Sequence, residues 1–190
     1  MTDKANLERE SRWVLRAQSG DRDALDALLK AVQKPLYHYI ISIVREPNSA
    51  EDILQEVFVR IYRKLVWLRE PEIFRSWAYR IASRETFRHL KRERRWAEQE
   101  RDETVLKTIP APLKREEFEP ELIEQLPQMV TALSPASRAV IVLYYLHEMS
   151  LAEVADVLEI PLGTVKSRLA YGLTSLRGQF DKQEGFNRRS

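Results

Sequence analysis

The chain has 190 residues, of which 44% are hydrophobic and 32% charged, and its formal net charge is +2. That length allows one domain or two small ones, and no run approaches the roughly 20 apolar residues that a membrane span requires. Cysteine is absent, which excludes disulfides, thiolate metal sites and a cysteine nucleophile.

The first twelve residues are polar and charged, without the apolar stretch of a signal peptide. The expected location is therefore the cytoplasm. Glycine is scarce, no segment alternates, and helical periodicity dominates, so the chain reads as all-α. A first helix is predicted from about Leu7 to Ser19, with Gly20 suited to its C-terminal cap. Asp21 can cap a second helix carrying Leu25, Leu28, Leu29 and Val32. Pro35 is expected to kink or restart it before the apolar stretch Leu36 to Val44.

The sequence Glu46-Pro47-Asn48-Ser49 reads as a turn. A third helix, from Ala50 to Val66, places Ile53, Leu54, Val57, Phe58, Ile61, Tyr62 and Leu65 on one stripe. A short loop over 67–73 leads to a basic helix whose inner stripe is Phe74, Trp77, Ala78, Ile81 and Ala82. Between Phe74 and Arg95 there are eight bases and two acids, a net of +6. Such a density points to a polyanion-binding surface rather than an ordinary solvated face.

From Trp96 to Gln125 the balance reverses to four bases and nine acids, a net of −5. Residues 96–121 also hold three of the nine prolines and lack apolar periodicity, so they read as a linker between two domains. Periodicity returns at Leu122, Ile123, Leu126, Met129, Val130 and Leu133. Ser134-Pro135 then starts a helix reaching about His147, with Ser as N-cap and Pro at the first helical position.

Residues 150–177 carry the most specific pattern. Ser150 and Glu153 form a capping box, and Leu151, Val154, Ala155 and Leu158 share one face. After a break at Glu159–Gly163, a second helix directs Val165, Leu169, Gly172, Leu173 and Leu176 inward. That leaves Lys166, Ser167, Ala170, Tyr171 and Thr174 on an outer face, with Arg168 at its edge. Two short amphipathic helices joined by a tight, Gly-containing break form a helix-turn-helix, whose second helix can enter a DNA major groove. An ordinary helical hairpin inside an α core is the plainer alternative.

Four segments together resemble the extracytoplasmic-function sigma factors, small specificity subunits of bacterial RNA polymerase. They are A-Q-S-G-D at 17–21, A-E-D-I-L-Q-E-V-F at 50–58, F-R-S-W-A-Y-R-I-A at 74–82 and G-T-V-K-S-R-L at 163–169. The resemblance covers roughly residues 12–95 and 122–179, in family order and spacing. It implies two helical domains: residues 1–95, binding the polymerase clamp and the minus-ten element, and 122–180, binding the flap and the minus-thirty-five element. Residues 96–121 would be the acidic linker, threaded through channels later taken by RNA, and 181–190 a polar tail without structure.

By the same resemblance Asp52, Gln55, Glu56 and Arg60 face the clamp. The loop at 67–73 and the start of the basic helix resemble the part that traps an unstacked base of the melted strand. Arg75, Arg80, Arg84, Arg88 and Lys91 could track its phosphates, and aromatic rings could receive bases. Tyr79 is one candidate ring, whereas periodicity turns Trp77 toward the core. In the helix-turn-helix, Lys166, Ser167, Arg168, Ala170, Tyr171 and Thr174 align with the groove-reading positions, where cations suit guanine edges and a methyl suits thymine. The chain departs from the usual family pattern at Tyr171, Gly172 and Thr174, where further arginines are common, and at Arg84, where asparagine is common. Gly172 also weakens its helix by about 1 kcal/mol relative to Ala.

The resemblance implies core RNA polymerase, single- and double-stranded promoter DNA and an anti-sigma factor as partners, with no membrane insertion. A free-standing helix-turn-helix regulator would account for residues 122–179 but leave the first domain without a task. An enzyme is not expected. Asp52 and Glu56 stand at i, i+4, yet no third carboxylate, histidine or glycine-rich phosphate cradle accompanies them. The histidines, His38, His89 and His147, are far apart, so no catalytic residue, metal site or cofactor is expected.

Overall fold

A computed structural model describes the backbone of residues 2–93 and 130–187, and the side chains of 6–93 and 130–177. The acidic linker expected over 96–121 and the periodic stretch Leu122–Met129 lie outside the described residues. Regular structure among the described residues is entirely helical. The chain divides into two compact units, the first built chiefly from residues up to His89 and the second chiefly from residues after it.

In the first unit, α1 (Thr2–Gln18) ends at Gly20, whose φ of 94° supplies the left-handed turn. The Gly20 N–H donates to the Ala17 carbonyl at 3.0 Å and the Asp21 N–H to that of Arg16 at 3.1 Å. The Asp21 carboxylate then caps α2 (Arg22–Val44) by accepting from the Ala24 N–H at 3.0 Å. Pro35 neither breaks nor restarts this helix, which is continuous through it. Leu28, Val32, Leu36, Tyr39, Ile40 and Ile43 are buried on either side of the proline, and their packing holds one helix where local propensity favours two.

Glu46 to Ser49 both separates two helices and opens the next. α3 spans Pro47–Lys64, three residues earlier than the apolar pattern predicts. Glu46 accepts from the Asn48 and Ser49 N–H groups, and Pro47 occupies the first helical position, where its missing N–H costs nothing. Two short 3₁₀ turns, Leu65–Trp67 and Pro71–Ile73, connect α3 to α4 (Phe74–Arg92).

In the second unit a 3₁₀ turn, Val130–Ala132, precedes α5 (Pro135–Ile141), which continues as a π turn over Val142–Leu146. Ser134 caps α5 as expected, accepting from the Ser137 N–H at 3.3 Å. The helix-turn-helix follows as α6 (Leu151–Leu158) and α7 (Leu162–Asn187). Its capping box is complete: Glu153 Oε2 accepts from the Ser150 N–H at 2.7 Å, and Ser150 Oγ from the Glu153 N–H at 3.2 Å. The left-handed residue between the helices is Glu159, with φ 56°. Gly163 instead lies inside the first turn of α7, with open space where a Cβ would stand. α7 also runs helical to Asn187, past the point at which the polar sequence reads as an unstructured tail.

Candidate nucleic-acid and polymerase interface

Three helical faces carry the residues singled out by sequence. The first is the outer face of α3, where Asp52, Gln55 and Glu56 are exposed. Ile53, Leu54, Val57 and Ile61 are buried on the opposite side. The outer face is less polar than its sequence suggests, because Val59 and Tyr62 share it and Val66 follows in the 3₁₀ turn beyond its end; they are 47%, 66% and 60% exposed. Tyr62 thus departs from the inner stripe assigned to it. It stands at the edge of that stripe, and the core is already filled by Val57, Ile61 and Leu65.

Arg60 flanks this face rather than lying on it. Its Nε is 2.6 Å from Oε1 of Glu85, a carboxylate buried between α3 and α4. The other Glu85 oxygen accepts from Arg88 at 2.7 Å. A buried carboxylate needs such partners, since desolvation without them costs several kcal/mol.

The second face belongs to α4. Trp77, Arg80, Arg84, Arg88 and Lys91 fall on one row at i, i+3, i+7, i+11 and i+14. Arg84, Arg88 and Lys91 are exposed, and Arg80 and Trp77 half-buried. Trp77 borders the cationic row and tilts against Phe74 at 6.2 Å between ring centres. The expected inward orientation is therefore only partly met.

Two residues expected on this face are elsewhere. Tyr79 is only 4% exposed and packs edge-on against Tyr39, with ring centres 5.6 Å apart. Burial pushes both phenols above their ordinary value, with the Ser83 hydroxyl, 2.7 Å from that of Tyr39, opposing the shift there. A ring so enclosed cannot stack on a base. Arg75 points toward α1, where it forks onto the buried Glu10 carboxylate through Nε at 2.8 and 3.1 Å and a terminal nitrogen at 2.7 Å. Arg75 is drawn there by that carboxylate, whereas the burial of Tyr79 follows from the width of the buried arc of α4. Ser83 and Thr86 join it because their hydroxyls donate to the Tyr79 and Ala82 carbonyls, each at 2.8 Å. Those bonds let polar side chains enter the core.

One residue escaped sequence reasoning. Trp67, in the connection before α4, is 79% exposed. The only signal was its place in a loop between two apolar helices, where a large ring has no periodic reason to be.

The third face is that of α7. Lys166 and Thr174 are exposed, and Ser167, Arg168 and Tyr171 half-buried. The Ser167 and Thr174 hydroxyls donate to the Thr164 and Ala170 carbonyls, each at 3.0 Å, which leaves their oxygens able to accept. Ala170 is the exception at 7% exposure. Its single carbon lies close to the helix axis and is covered, so it offers little to a thymine methyl. Val165, Leu169, Leu173 and Leu176 are buried as predicted. Among the described residues no helix is long and apolar enough to cross a membrane.

Residues 28–96 match Sigma-70 region 2, and residues 130–178 match Sigma-70, region 4. The chain is 30% identical over 172 residues to the RNA polymerase sigma-H factor of Pseudomonas aeruginosa, covering 85% of this chain and 89% of that protein. It is 29% identical over 175 residues to the ECF RNA polymerase sigma factor SigW of Bacillus subtilis, covering 87% and 94%. In fold it is similar to CnrH, solved in complex with the cytosolic domain of CnrY, with a TM-score of 0.66 over 92% of this chain and 98% of that one at 24% identity. It is also similar to the sigma factor RpoE of Bartonella quintana, solved with the anti-sigma factor NepR, with a TM-score of 0.61 over 82% and 96% at 19% identity. With both regions matched in order and a sigma factor related along nearly its whole length, the chain belongs to the ECF RNA polymerase sigma factors.

Proposed function

We propose that the three faces divide the work of a sigma factor. The outer face of α3, with Asp52, Gln55 and Glu56 extended by Val59, Tyr62 and Val66, meets core RNA polymerase. Arg60 serves that face from its flank while also neutralising Glu85. Exposed valines and a tyrosine among carboxylates form the mixed surface that a protein partner covers.

The row Arg80, Arg84, Arg88 and Lys91 follows the phosphates of the melted minus-ten strand, and Trp67 and Trp77 offer rings for its unstacked bases. Lys166, Ser167, Arg168, Tyr171 and Thr174 read the duplex of the minus-thirty-five element. No bond in the DNA is broken by this subunit. Opening draws on binding energy alone, as capture of a flipped base offsets an unstacking cost of a few kcal/mol. Work on polymerase belongs in the cytoplasm. An anti-sigma factor is the expected silencing partner, by likeness to the solved neighbours, and recovery of polymerase alone from unstressed cells would count against it.

The observation that carries this reading is the cationic row of α4, set apart from the α7 face by a change of domain. A free-standing regulator has no use for such a row, nor for a region 2. The deciding experiment is transcription by core polymerase with this chain on a selected promoter. Lys166→Ala should lower initiation through upstream binding and be relieved on a template that lacks the upstream element. Arg84→Ala should lower strand opening, read by permanganate reactivity of unpaired thymines. Initiation no better than core alone on every template would overturn the assignment.

A further inference from the structure

We propose that α1 is a positioning strap that holds the connection between α3 and α4 in the shape that receives an unstacked base. The inference rests on the role just given to that connection. Glu10, Val14 and Gln18 lie at i, i+4 and i+8 on α1, one stripe of the helix. Val14 is buried in the core, and the two polar residues hold opposite ends of segment 65–75.

At one end the Gln18 side-chain amide donates to the Leu65 carbonyl at 2.8 Å and to the Leu68 carbonyl at 2.7 Å. Both partners are acceptors, so the amide is fixed with its NH₂ toward them and both N–H bonds used. The Leu65 carbonyl also accepts the Leu68 N–H at 3.0 Å, so both of its lone pairs are engaged. Leu65 and Leu68 are buried. The two residues between them, Val66 and Trp67, are turned out into solvent.

At the other end Glu10, itself 2% exposed, grips the first turn of α4 through the Arg75 fork. A planar guanidinium on two carboxylate oxygens fixes direction as well as distance. Both contacts are made within the chain itself. Each orders a segment before ligand arrives, which removes the ordering cost from the binding step. The strap also accounts for Trp67. A large ring in a short loop would fold back onto apolar surface unless the backbone on both sides of it were tied down.

The test uses holoenzyme and a fluorescent single strand of the selected minus-ten sequence, with each base in turn replaced by an abasic site. Wild type should lose about tenfold in affinity at the captured position, the scale of one stacked base. Gln18→Met keeps the side chain's length and removes both donors. In that variant the abasic penalty should fall to about threefold or less, while affinity for core polymerase and for upstream duplex stays within about twofold of wild type. If Gln18→Met does not fold, Gln18→Asn replaces it, since an amide one methylene shorter cannot reach both carbonyls.

A folded variant that keeps the full penalty overturns the strap, as does one that loses core affinity in proportion. A wild type with no penalty at any position overturns the base-capture role, and the strap with it.

Discussion

A β-carbon built on Gly172 of α7 would lie 2.4 Å from Cδ1 of Ile141 on α5, and 3.3 Å from its Cγ1. Ile141 is fully buried, so that methyl has little room to retreat. The glycine is therefore a packing requirement of the helix-turn-helix domain, and the helix propensity it forfeits, about 1 kcal/mol, is the smaller effect. Gly172→Ala should destabilise by roughly 1–2 kcal/mol as overpacking outweighs the propensity gain. Ile141→Val removes the offending carbon and alone costs about 1 kcal/mol. Made in the Gly172→Ala background it should cost nothing or stabilise, so denaturant titration of the four chains yields a coupling of about 1 kcal/mol or more. Additive single effects would contradict the contact.

Gly163 gives the opposite expectation from the same helix. A Cβ there meets nothing, and the backbone is helical. Gly163→Ala should stabilise the chain by about 0.5–1 kcal/mol. The two alanine substitutions, nine positions apart, should move the melting temperature in opposite directions.

These glycines also show how far the sequence was legible. Helix positions followed from apolar spacing and from caps such as Asp21, Ser134 and Ser150-Glu153, whose side chains act locally. Contacts between helices were not legible, and Gly172 looked like a weakness because Ile141 lies 31 residues away. Glu46-Pro47 was ambiguous because the residues that make a turn also start a helix. In the candidate sites, Asp52, Gln55, Glu56, Arg84, Arg88, Lys91 and Lys166 stand exposed as read. Tyr79 and Ala170 are buried instead, and Arg75, though exposed, is turned onto Glu10. For Tyr79 the cause is that Ser83 and Thr86 enter the core by bonding to their own helix, which widens the buried arc beyond what hydropathy marks, and for Arg75 it is the buried Glu10 carboxylate of α1, a partner 65 residues away.

Arg138 is a buried cation of the second unit. Its Nε donates to the Val130 carbonyl at 2.8 Å, and a terminal nitrogen to those of Thr131 at 2.9 Å and Leu133 at 2.7 Å. One guanidinium thus caps the whole 3₁₀ turn that leads into α5. Arg138→Met leaves these carbonyls short of donors in the interior and should cost on the order of 3 kcal/mol. Arg138→Lys should recover little, because a point ammonium cannot span three acceptors as a planar fork does. Chemical denaturation measures both; a lysine variant equal to wild type would refute the fork.

Asp21 links acid sensitivity to the α1–α2 junction. Its carboxyl is held below its ordinary value, first by the Ala24 N–H and then by Arg16, whose guanidinium is 2.6 Å away. A lowered folded-state value means stability that is present above the unfolded value of about 3.8 and lost as pH falls through the folded one. Asp21→Asn keeps a capping oxygen and removes the charge. The wild-type melting temperature should exceed that of Asp21→Asn near neutrality, and the gap should close as pH falls below the ordinary carboxylate range. A gap that persists in acid would mean that the difference does not come from the charge of Asp21.

Glu85 separates two roles that Arg60 combines. Its carboxylate is 2% exposed and bridges Arg60 on α3 and Arg88 on α4. Arg60→Ala should therefore weaken core polymerase binding and also destabilise the chain, by about 2 kcal/mol, less than the full cost of orphaning a buried charge because Arg88 remains. Gln55→Ala on the exposed face should weaken binding with stability within about 0.5 kcal/mol of wild type. Glu85→Gln releases both arginines at once. Arg88, freed from its counter-charge, should then hold single-stranded DNA more tightly at low salt, with a steeper salt dependence by up to about 0.7 in log–log slope for one added phosphate contact. Titration of holoenzyme with the minus-ten strand at several salt concentrations measures that slope. An unchanged slope in a folded Glu85→Gln chain would mean that Arg88 acts on Glu85 alone, and the row on α4 would then track phosphates through Arg80, Arg84 and Lys91.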